Sequence, residues 1–119
     1  MASFSRRPFG TAPSGEAVEL LTLSSGAISC EILTFGATVR ALRVPDKNGQ
    51  TVDVVLGYNS VAAYETHDGY LGALVGRYAN RIAGAAYVID GERIELEANE
   101  GSKQLHGGNT GFSHRVFDA

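Results

Sequence analysis

The sequence contains one cysteine, three prolines and no tryptophan among its 119 residues. The single cysteine, Cys30, excludes an internal disulfide and a metal site built from several cysteines, and it favours a reducing compartment such as the cytoplasm. No apolar run approaches the roughly 20 residues that a membrane-spanning helix requires. We therefore expect a cytoplasmic protein with no membrane partner.

The sequence also lacks an excess of positive charge. Its formal net charge is -3 and its pI is near 5.5, and its eight arginines and two lysines are scattered along the chain. A nucleic-acid-binding domain normally carries a clustered basic surface, so no nucleic-acid partner is expected. The three histidines show no His-x-x-x-His or His-x-Glu spacing, and no phosphate-binding loop is present. We predict neither a metal site nor a cofactor.

Glycine is abundant, with 15 residues, well above the roughly 7% of ordinary proteins. Such an excess is typical of chains with many turns and close backbone contacts, as all-β folds need. Hydrophobic residues make up 44% of the chain and charged residues 19%, which is the composition of a globular protein. The length allows one domain.

Alternating apolar and polar residues predict a series of antiparallel strands separated by Ser/Gly and Pro-Asp-Lys-Asn-Gly turns. The predicted strands are Val18–Leu23, Ile28–Leu33, Thr38–Val44 and Thr51–Leu56. Only Ser60–Glu65 is predicted as a helical turn, with Ser60 as its N-cap, and a loop is predicted from Thr66 to Gly72.

The pair Asp90-Gly91 predicts the clearest hairpin in the sequence. It separates two alternating runs, residues 85–89 and 92–96, and Asp-Gly is a signature of a type I′ turn. The side chains of Tyr87, Ile89, Ile94 and Leu96 are predicted to share a buried face.

Polar residues of chemical interest lie in two glycine-containing apolar segments, Gly76–Ile82 and Leu105–Gly108. Arg81 carries five donors in a planar fork, and Asn80 carries both a donor and an acceptor, which suits the hydroxyls of a neutral sugar. Glycines beside His106 allow close approach of backbone or ligand. The residues alone leave alternatives open: an arginine that extends to water or pairs with a carboxylate, and a structural histidine. Solvated side chains are predicted for the other histidines, His67 and His114.

Several motifs occur in an order that resembles the aldose 1-epimerase (galactose mutarotase) family. The two main ones are Leu71-Gly72-Ala73-Leu74-Val75-Gly76-Arg77-Tyr78-Ala79-Asn80-Arg81-Ile82 and Leu105-His106-Gly107-Gly108-Asn109-Thr110-Gly111-Phe112. The others are Phe9-Gly10, Val18-Glu19-Leu20, Thr34-Phe35-Gly36-Ala37, Val44-Pro45-Asp46-Lys47-Asn48-Gly49 and Asp53-Val54-Val55-Leu56-Gly57-Tyr58. The resemblance covers nearly the whole chain.

The resemblance implies an all-β, antiparallel fold, the N-terminal part of a galactose mutarotase-like β-supersandwich, with residues 1–119 forming a single partial domain. The implied reaction interconverts the α and β anomers of aldohexoses such as galactose or glucose. By resemblance, Asn80, Arg81 and His106 bind the sugar, and His106 is not the proton donor. The implied partners are the aldohexose and the remainder of an epimerase domain.

The sequence departs from the family pattern in a few turns and in its length. Ala85 replaces a glycine, Ser113-His114 replaces Asp-Lys, and Phe117 replaces a tryptophan. The family's general acid histidine and general base glutamate have no counterpart, so no catalytic residue is assigned, and Glu100 and His114 fall in unmatched positions. We expect an N-terminal fragment (truncated, cleaved or incompletely sequenced) that is inactive alone.

Two other readings remain open from the sequence. The chain could bind sugar without turnover, although isolated sugar-binding modules rely on tryptophan stacking and this chain has none. It could also be an interaction protein that docks through exposed strand edges.

Overall fold

A computed structural model describes residues 1–67 and 69–119 and consists mainly of antiparallel strands. Its main sheet is a meander in which each strand pairs with the next one in sequence. The five strands are β1 (Ala2–Thr11), β2 (Ala17–Ser25), β3 (Ile28–Leu33), β4 (Thr38–Pro45) and β5 (Thr51–Asp53).

The second half of the chain forms two small two-stranded sheets and short helical turns. One sheet pairs β6 (Arg81–Ile82) with β9 (Gln104–Leu105), and the other pairs β7 (Ala86–Ile89) with β8 (Glu92–Glu95). The helix α1 spans Val61–Thr66, and single 3₁₀ turns span Ala83–Ala85 and Phe112–His114. The all-β, antiparallel prediction is confirmed.

The helical turn predicted after residue 59 is also confirmed. The Ser60 hydroxyl accepts a hydrogen bond from the Ala63 backbone N–H at 3.2 Å, which satisfies one of the free donors at the start of α1. The predicted loop that follows begins one residue late, because Thr66 belongs to the helix. Asp68 in that loop lies outside the described residues.

Strand β1 was not predicted from the sequence. Its side chains are mostly exposed, so it lacks the apolar alternation on which strand prediction depends. It also contains Pro8, and the pairing of β1 with β2 shifts between Pro8 and Gly10. Proline is tolerated here because β1 is an edge strand, where a missing N–H costs no ladder hydrogen bond.

The predicted strand Thr51–Leu56 is wrong in its second half, since β5 ends at Asp53. The Asp53 carboxylate accepts hydrogen bonds from the backbone N–H of Leu42 at 3.0 Å and of Val55 at 3.2 Å. These bonds lower the pKa of Asp53. A side-chain acceptor thus replaces the next ladder carbonyl, and the chain turns away with Leu56 76% exposed.

The β7–β8 hairpin has the predicted turn. Asp90 and Gly91 have positive φ angles of 51° and 81°, as a type I′ turn requires. The expected buried face is wrong for Ile89, which is 56% exposed, whereas Tyr87, Ile94 and Leu96 are half-buried. Ile89 pairs with Glu92 directly beside the turn, where the hairpin extends into solvent.

The core of the main sheet is small and packs against α1. Its buried residues are Ala12, Val18, Leu20, Leu33, Phe35 and Val61, with Phe9, Tyr64 and Val116 packed against them. The radius of gyration is 17.2 Å, compared with about 13.5 Å for a compact domain of this length. Many large apolar side chains are exposed, including Phe4, Leu74 and Val88. No helix among the described residues is both long and apolar enough to span a membrane.

The turn between β3 and β4 joins the main sheet to the second half of the chain. Gly36 donates its N–H to the Arg115 carbonyl at 2.7 Å and accepts one from Leu74 at 2.9 Å. Phe117 donates to the Thr34 carbonyl at 2.9 Å. Gly36 has a φ of 66°, and a Cβ there would lie 2.6 Å from the Ser113 carbonyl oxygen. The sheet therefore anchors the segments that flank the polar residues described next.

Candidate functional site

The short pair β6–β9 brings the three predicted site residues together. Arg81 lies opposite Leu105, so Asn80 and His106 are the next residues along each strand. Asn80 donates its backbone N–H to His106 Nδ1 at 2.9 Å, and His106 donates its backbone N–H to the Asn80 carbonyl at 3.0 Å. Both residues adopt left-handed φ angles, 63° and 51°, so the two strands diverge directly after this contact.

The His106 ring is held in one orientation. Because Nδ1 accepts a backbone hydrogen bond, the proton of the neutral imidazole is on Nε2, which is therefore a donor. The ring of Tyr70 packs edge-on against His106 at 4.8 Å between centroids. The imidazole can thus present one fixed N–H to a ligand.

The Arg81 guanidinium is paired with Glu100 through two hydrogen bonds. Nε donates to Oε2 at 2.5 Å and Nη2 donates to Oε1 at 2.7 Å, while Nη1 donates to Asn80 Oδ1 at 3.3 Å. The hydrogen bond from Arg81 lowers the pKa of Glu100, and Glu100 in turn raises that of Arg81. The fork is fixed in direction, while the Arg81 side chain remains 49% exposed.

Glu100 is the residue of this cluster that sequence reasoning missed. It lies 19 residues from Arg81, and no motif connects the two. Only an indirect feature could have predicted its pairing with Arg81. Glu100 closes a tight turn with Lys103 immediately before β9, the strand that pairs with β6. The alternative in which an arginine pairs with a carboxylate is therefore realised for Arg81.

The Arg81–Glu100 pair is expected to depend on pH. A lowered pKa in the folded chain means that the pair is fully formed above the ordinary glutamate value of about 4.3 and is lost as the pH falls through the lower folded value. We predict that the Arg81 Nε–H signal, followed by NMR from about pH 5.5 downward, moves in one step that lies below the ordinary glutamate value. Glu100→Gln should abolish the step, and a step that persists in this variant would contradict the assignment.

The other two histidines are exposed, as predicted, and lie outside the β6–β9 cluster. His67 accepts the Gly69 N–H on Nδ1 at 3.0 Å and packs on the ring of Tyr58. The ring of His114 lies edge-on to that of Tyr70, with 6.3 Å between the ring centroids.

A cleft of about 190 Å³ lies beside the cluster. Three glycines, Gly76, Gly107 and Gly111, form its floor by direct backbone contact. Gly107 has a φ of 91°, and a Cβ there would lie 1.8 Å from the Gly76 carbonyl oxygen. At Gly111 a Cβ would lie 2.7 Å from the His106 carbonyl oxygen. The glycine after His106 thus permits close backbone approach, as the sequence suggested.

A family model described as aldose 1-epimerase matches residues 19–119. The chain belongs to the aldose 1-epimerase family. It is 42% identical over 113 residues to the galactose mutarotases of Sus scrofa and Homo sapiens, and 41% identical over 105 residues to the aldose 1-epimerase of Escherichia coli. These alignments cover 94% and 87% of this chain, respectively, but only 33% and 30% of the relatives.

Two solved structures also match nearly all of this epimerase-family chain but only part of their own length. A galactose 1-epimerase from Lactobacillus acidophilus matches its fold with a TM-score of 0.78 at 24% identity. An aldose epimerase homologue from C. elegans matches with a TM-score of 0.71 at 30% identity. Both matches cover 98% of this chain but 33% and 31% of the other chains. The chain spans about a third of the length of the relatives it matches.

Proposed function

We propose that this chain is the sugar-positioning part of an aldose 1-epimerase. Together with the remainder of an epimerase domain it interconverts the α and β anomers of an aldohexose such as galactose or glucose. The observation that carries the proposal is the reciprocal contact between Asn80 and His106, with Arg81 beside it. Family membership supports the reaction class.

The cluster offers donors suited to sugar hydroxyls. Two of the five Arg81 N–H groups are directed to Glu100 and one to Asn80, so two make no hydrogen bond to the described residues and are available for a ligand. His106 adds its Nε2–H, and Asn80 adds its side-chain amide N–H groups. Because Glu100 balances the charge of Arg81, the cluster can hold a neutral ligand without leaving an unpaired cation.

Anomer exchange needs two proton transfers. A base takes the proton of the anomeric hydroxyl and an acid protonates the ring oxygen; the ring then opens, C1 rotates, and the ring closes on the other face. Each positioned group typically contributes ~10²–10⁴-fold. Glu100 is a weakened base because its pKa is lowered, and His106 already uses Nδ1 for the Asn80 N–H. We infer that the proton-transfer groups come from the remainder of the domain.

The exposed apolar surface supports the proposal that the remainder of an epimerase domain packs against this chain. Val54, Leu56 and Leu74 are large apolar side chains left open to solvent, and the chain is elongated for its length. Apolar surface of this kind commonly marks an interface.

The compartment we expect is the cytoplasm, since Cys30 is a free thiol whose pKa is raised by burial and which has no partner cysteine for a disulfide.

Polarimetry on freshly dissolved α-D-glucose tests the inference that this chain alone lacks the proton-transfer groups. We expect mutarotation at the buffer rate with this chain alone, because the cluster binds but transfers no proton. A rate clearly above buffer would refute this part of the proposal.

Titration with galactose tests the binding residues separately. Arg81→Ala is expected to weaken binding about tenfold or more, as for the loss of charge-assisted hydrogen bonds. Arg93→Ala is the matched control, because Arg93 also pairs with a nearby glutamate, Glu95, but lies on the β7–β8 hairpin. Unchanged binding in Arg81→Ala would remove Arg81 from the site.

A further inference from the structure

Two arginines that the proposed sugar site does not use stack on one aromatic ring. The Cζ atoms of Arg77 and Arg115 lie 5.6 Å and 5.8 Å from the ring centroid of Phe112. All three side chains line the cleft of about 190 Å³ described above. The cleft therefore concentrates two positive charges in a chain whose net charge is -3.

The stacking leaves hydrogen-bond donors available. A guanidinium that packs its face on an aromatic ring keeps its N–H groups at the edge, in the plane of the fork. The Nε of Arg115 donates to the Thr110 carbonyl at 3.1 Å, and its other N–H groups make no hydrogen bond to the described residues. Within residues 1–67 and 69–119, neither Arg77 nor Arg115 forms an ion pair with a carboxylate. Each guanidinium thus retains donors that could receive an anion.

The carboxylate of Glu97, near the cleft, already accepts two hydrogen bonds. Glu97 accepts hydrogen bonds from the backbone N–H of Asn109 at 2.7 Å and from its side-chain amide at 2.8 Å. The buried Gln104, which also lines the cleft, donates its amide to the Glu97 carbonyl at 3.3 Å. These contacts hold the carboxylate of Glu97 against Asn109, and among the described residues it forms no ion pair with either arginine.

The floor of the cleft is made of glycines, and a larger residue there would overlap neighbouring atoms. A Cβ on Gly76 would lie 2.6 Å from the Phe112 ring, and one on Gly107 would overlap the Gly76 carbonyl. The available volume is below the roughly 300 Å³ lower limit of typical organic-ligand pockets. A small group with several acceptor oxygens fits such a space better than a large apolar ligand.

We propose that this cleft binds an oxyanion of the phosphate class between Arg77 and Arg115. Planar forks that present parallel N–H groups match the geometry of phosphate oxygens. The site is separate from the Asn80–Arg81–His106 cluster but is built on the same two segments, because Gly76 to Tyr78 precede Asn80 and Gly107 follows His106. The oxyanion can come from free phosphate or from a phosphoryl group on a sugar.

The test is an NMR titration of the full chain with inorganic phosphate, with ionic strength held constant by chloride. We expect saturable shifts of the backbone signals of residues 76, 77, 107, 112 and 115. Arg77→Gln and Arg115→Gln should each weaken binding at least about tenfold, because each removes a charge-assisted contact. Arg93→Gln, which removes one exposed positive charge elsewhere, should leave the affinity within about twofold.

Several results would overturn the proposal. These are shifts that do not saturate, an equal loss of affinity in Arg93→Gln, or unchanged affinity in both cleft variants. Arg115→Lys keeps the charge but loses the fork, and it should bind more weakly than the unsubstituted chain while its spectrum remains that of a folded protein. If both Gln variants unfold, the result with Arg115→Lys decides.

Two further titrations identify the source of the oxyanion. A hexose 6-phosphate that binds more tightly than inorganic phosphate assigns the cleft to a phosphoryl group on a sugar, and equal affinity assigns it to the free anion. Galactose alone should shift the signals of Asn80, Arg81 and His106 rather than those of the cleft. Failure of galactose to bind would therefore refute the sugar site without affecting the oxyanion site.

Discussion

Gly107→Ala is expected to destabilise the chain by at least about 3 kcal/mol, at the upper end of single substitutions. The new Cβ would lie 1.8 Å from the Gly76 carbonyl oxygen, and the φ of 91° is one that alanine rarely adopts. Because the atom in the way belongs to the backbone, no side-chain rotation relieves the overlap. The segments Gly76–Ile82 and Leu105–Gly108 would have to separate, which would also disrupt the Asn80–His106 contact. Urea unfolding followed by circular dichroism measures the change.

Gly49→Ala is the matched control for this substitution. Gly49 has a similar φ of 78°, but apart from its two chain neighbours no atom of the described residues lies within 4 Å of the position that its Cβ would occupy. Only the conformational cost of a left-handed alanine, about 1–2 kcal/mol, is expected there. Equal losses of stability in the two variants would show that backbone conformation, rather than the contact between the segments, governs position 107.

Leu20→Ala is expected to cost about 3 kcal/mol, within the usual range for a leucine removed from a protein core. Leu20 is 1% exposed and pairs across the sheet with the fully buried Leu33. Leu23 lies on the same strand but is 44% exposed, so Leu23→Ala should cost less than about 1 kcal/mol. Similar effects of the two substitutions in thermal unfolding would contradict the assignment of the core to this part of β2.

Leu20→Ala is also expected to disrupt the cluster of Asn80, Arg81 and His106. The residues after Leu33 donate and accept the backbone hydrogen bonds that hold Leu74, Arg115 and Phe117. Loss of the sheet would therefore release the segments that bracket the cleft. We expect any galactose and phosphate binding to disappear together as this variant unfolds, because the sheet supports both proposed sites.

Much of the secondary structure was predictable because it depends on local chemistry. Strands β2, β3 and β4 show apolar alternation, and the Asp90-Gly91 turn requires the positive φ angles that these residues accept. Strand β1 was missed because pairing with β2, rather than its own pattern, makes it a strand. The end of β5 was missed because the Asp53 side chain replaces a ladder carbonyl.

The candidate site was predictable only in part. The polar residues Asn80, Arg81 and His106 stand out among glycines and apolar residues, and the order of motifs indicated the family to which the chain belongs. Glu100 was not predicted to pair with Arg81, and neither was the Arg77–Phe112–Arg115 stack. Both depend on contacts between residues far apart in the sequence.

The sequence by itself determined the fold class, the family and the residue types of the proposed sugar site, because these depend on periodicity, turn chemistry and motif order. The tertiary structure decided which hydrogen-bond donors are engaged within the described residues. It directs the Arg81 fork to Glu100, orients the His106 ring through the Asn80 N–H, and leaves Arg77 and Arg115 stacked beside a glycine floor. The physical reason is that hydrogen-bond partners are set by distances across the fold, which a linear pattern does not contain.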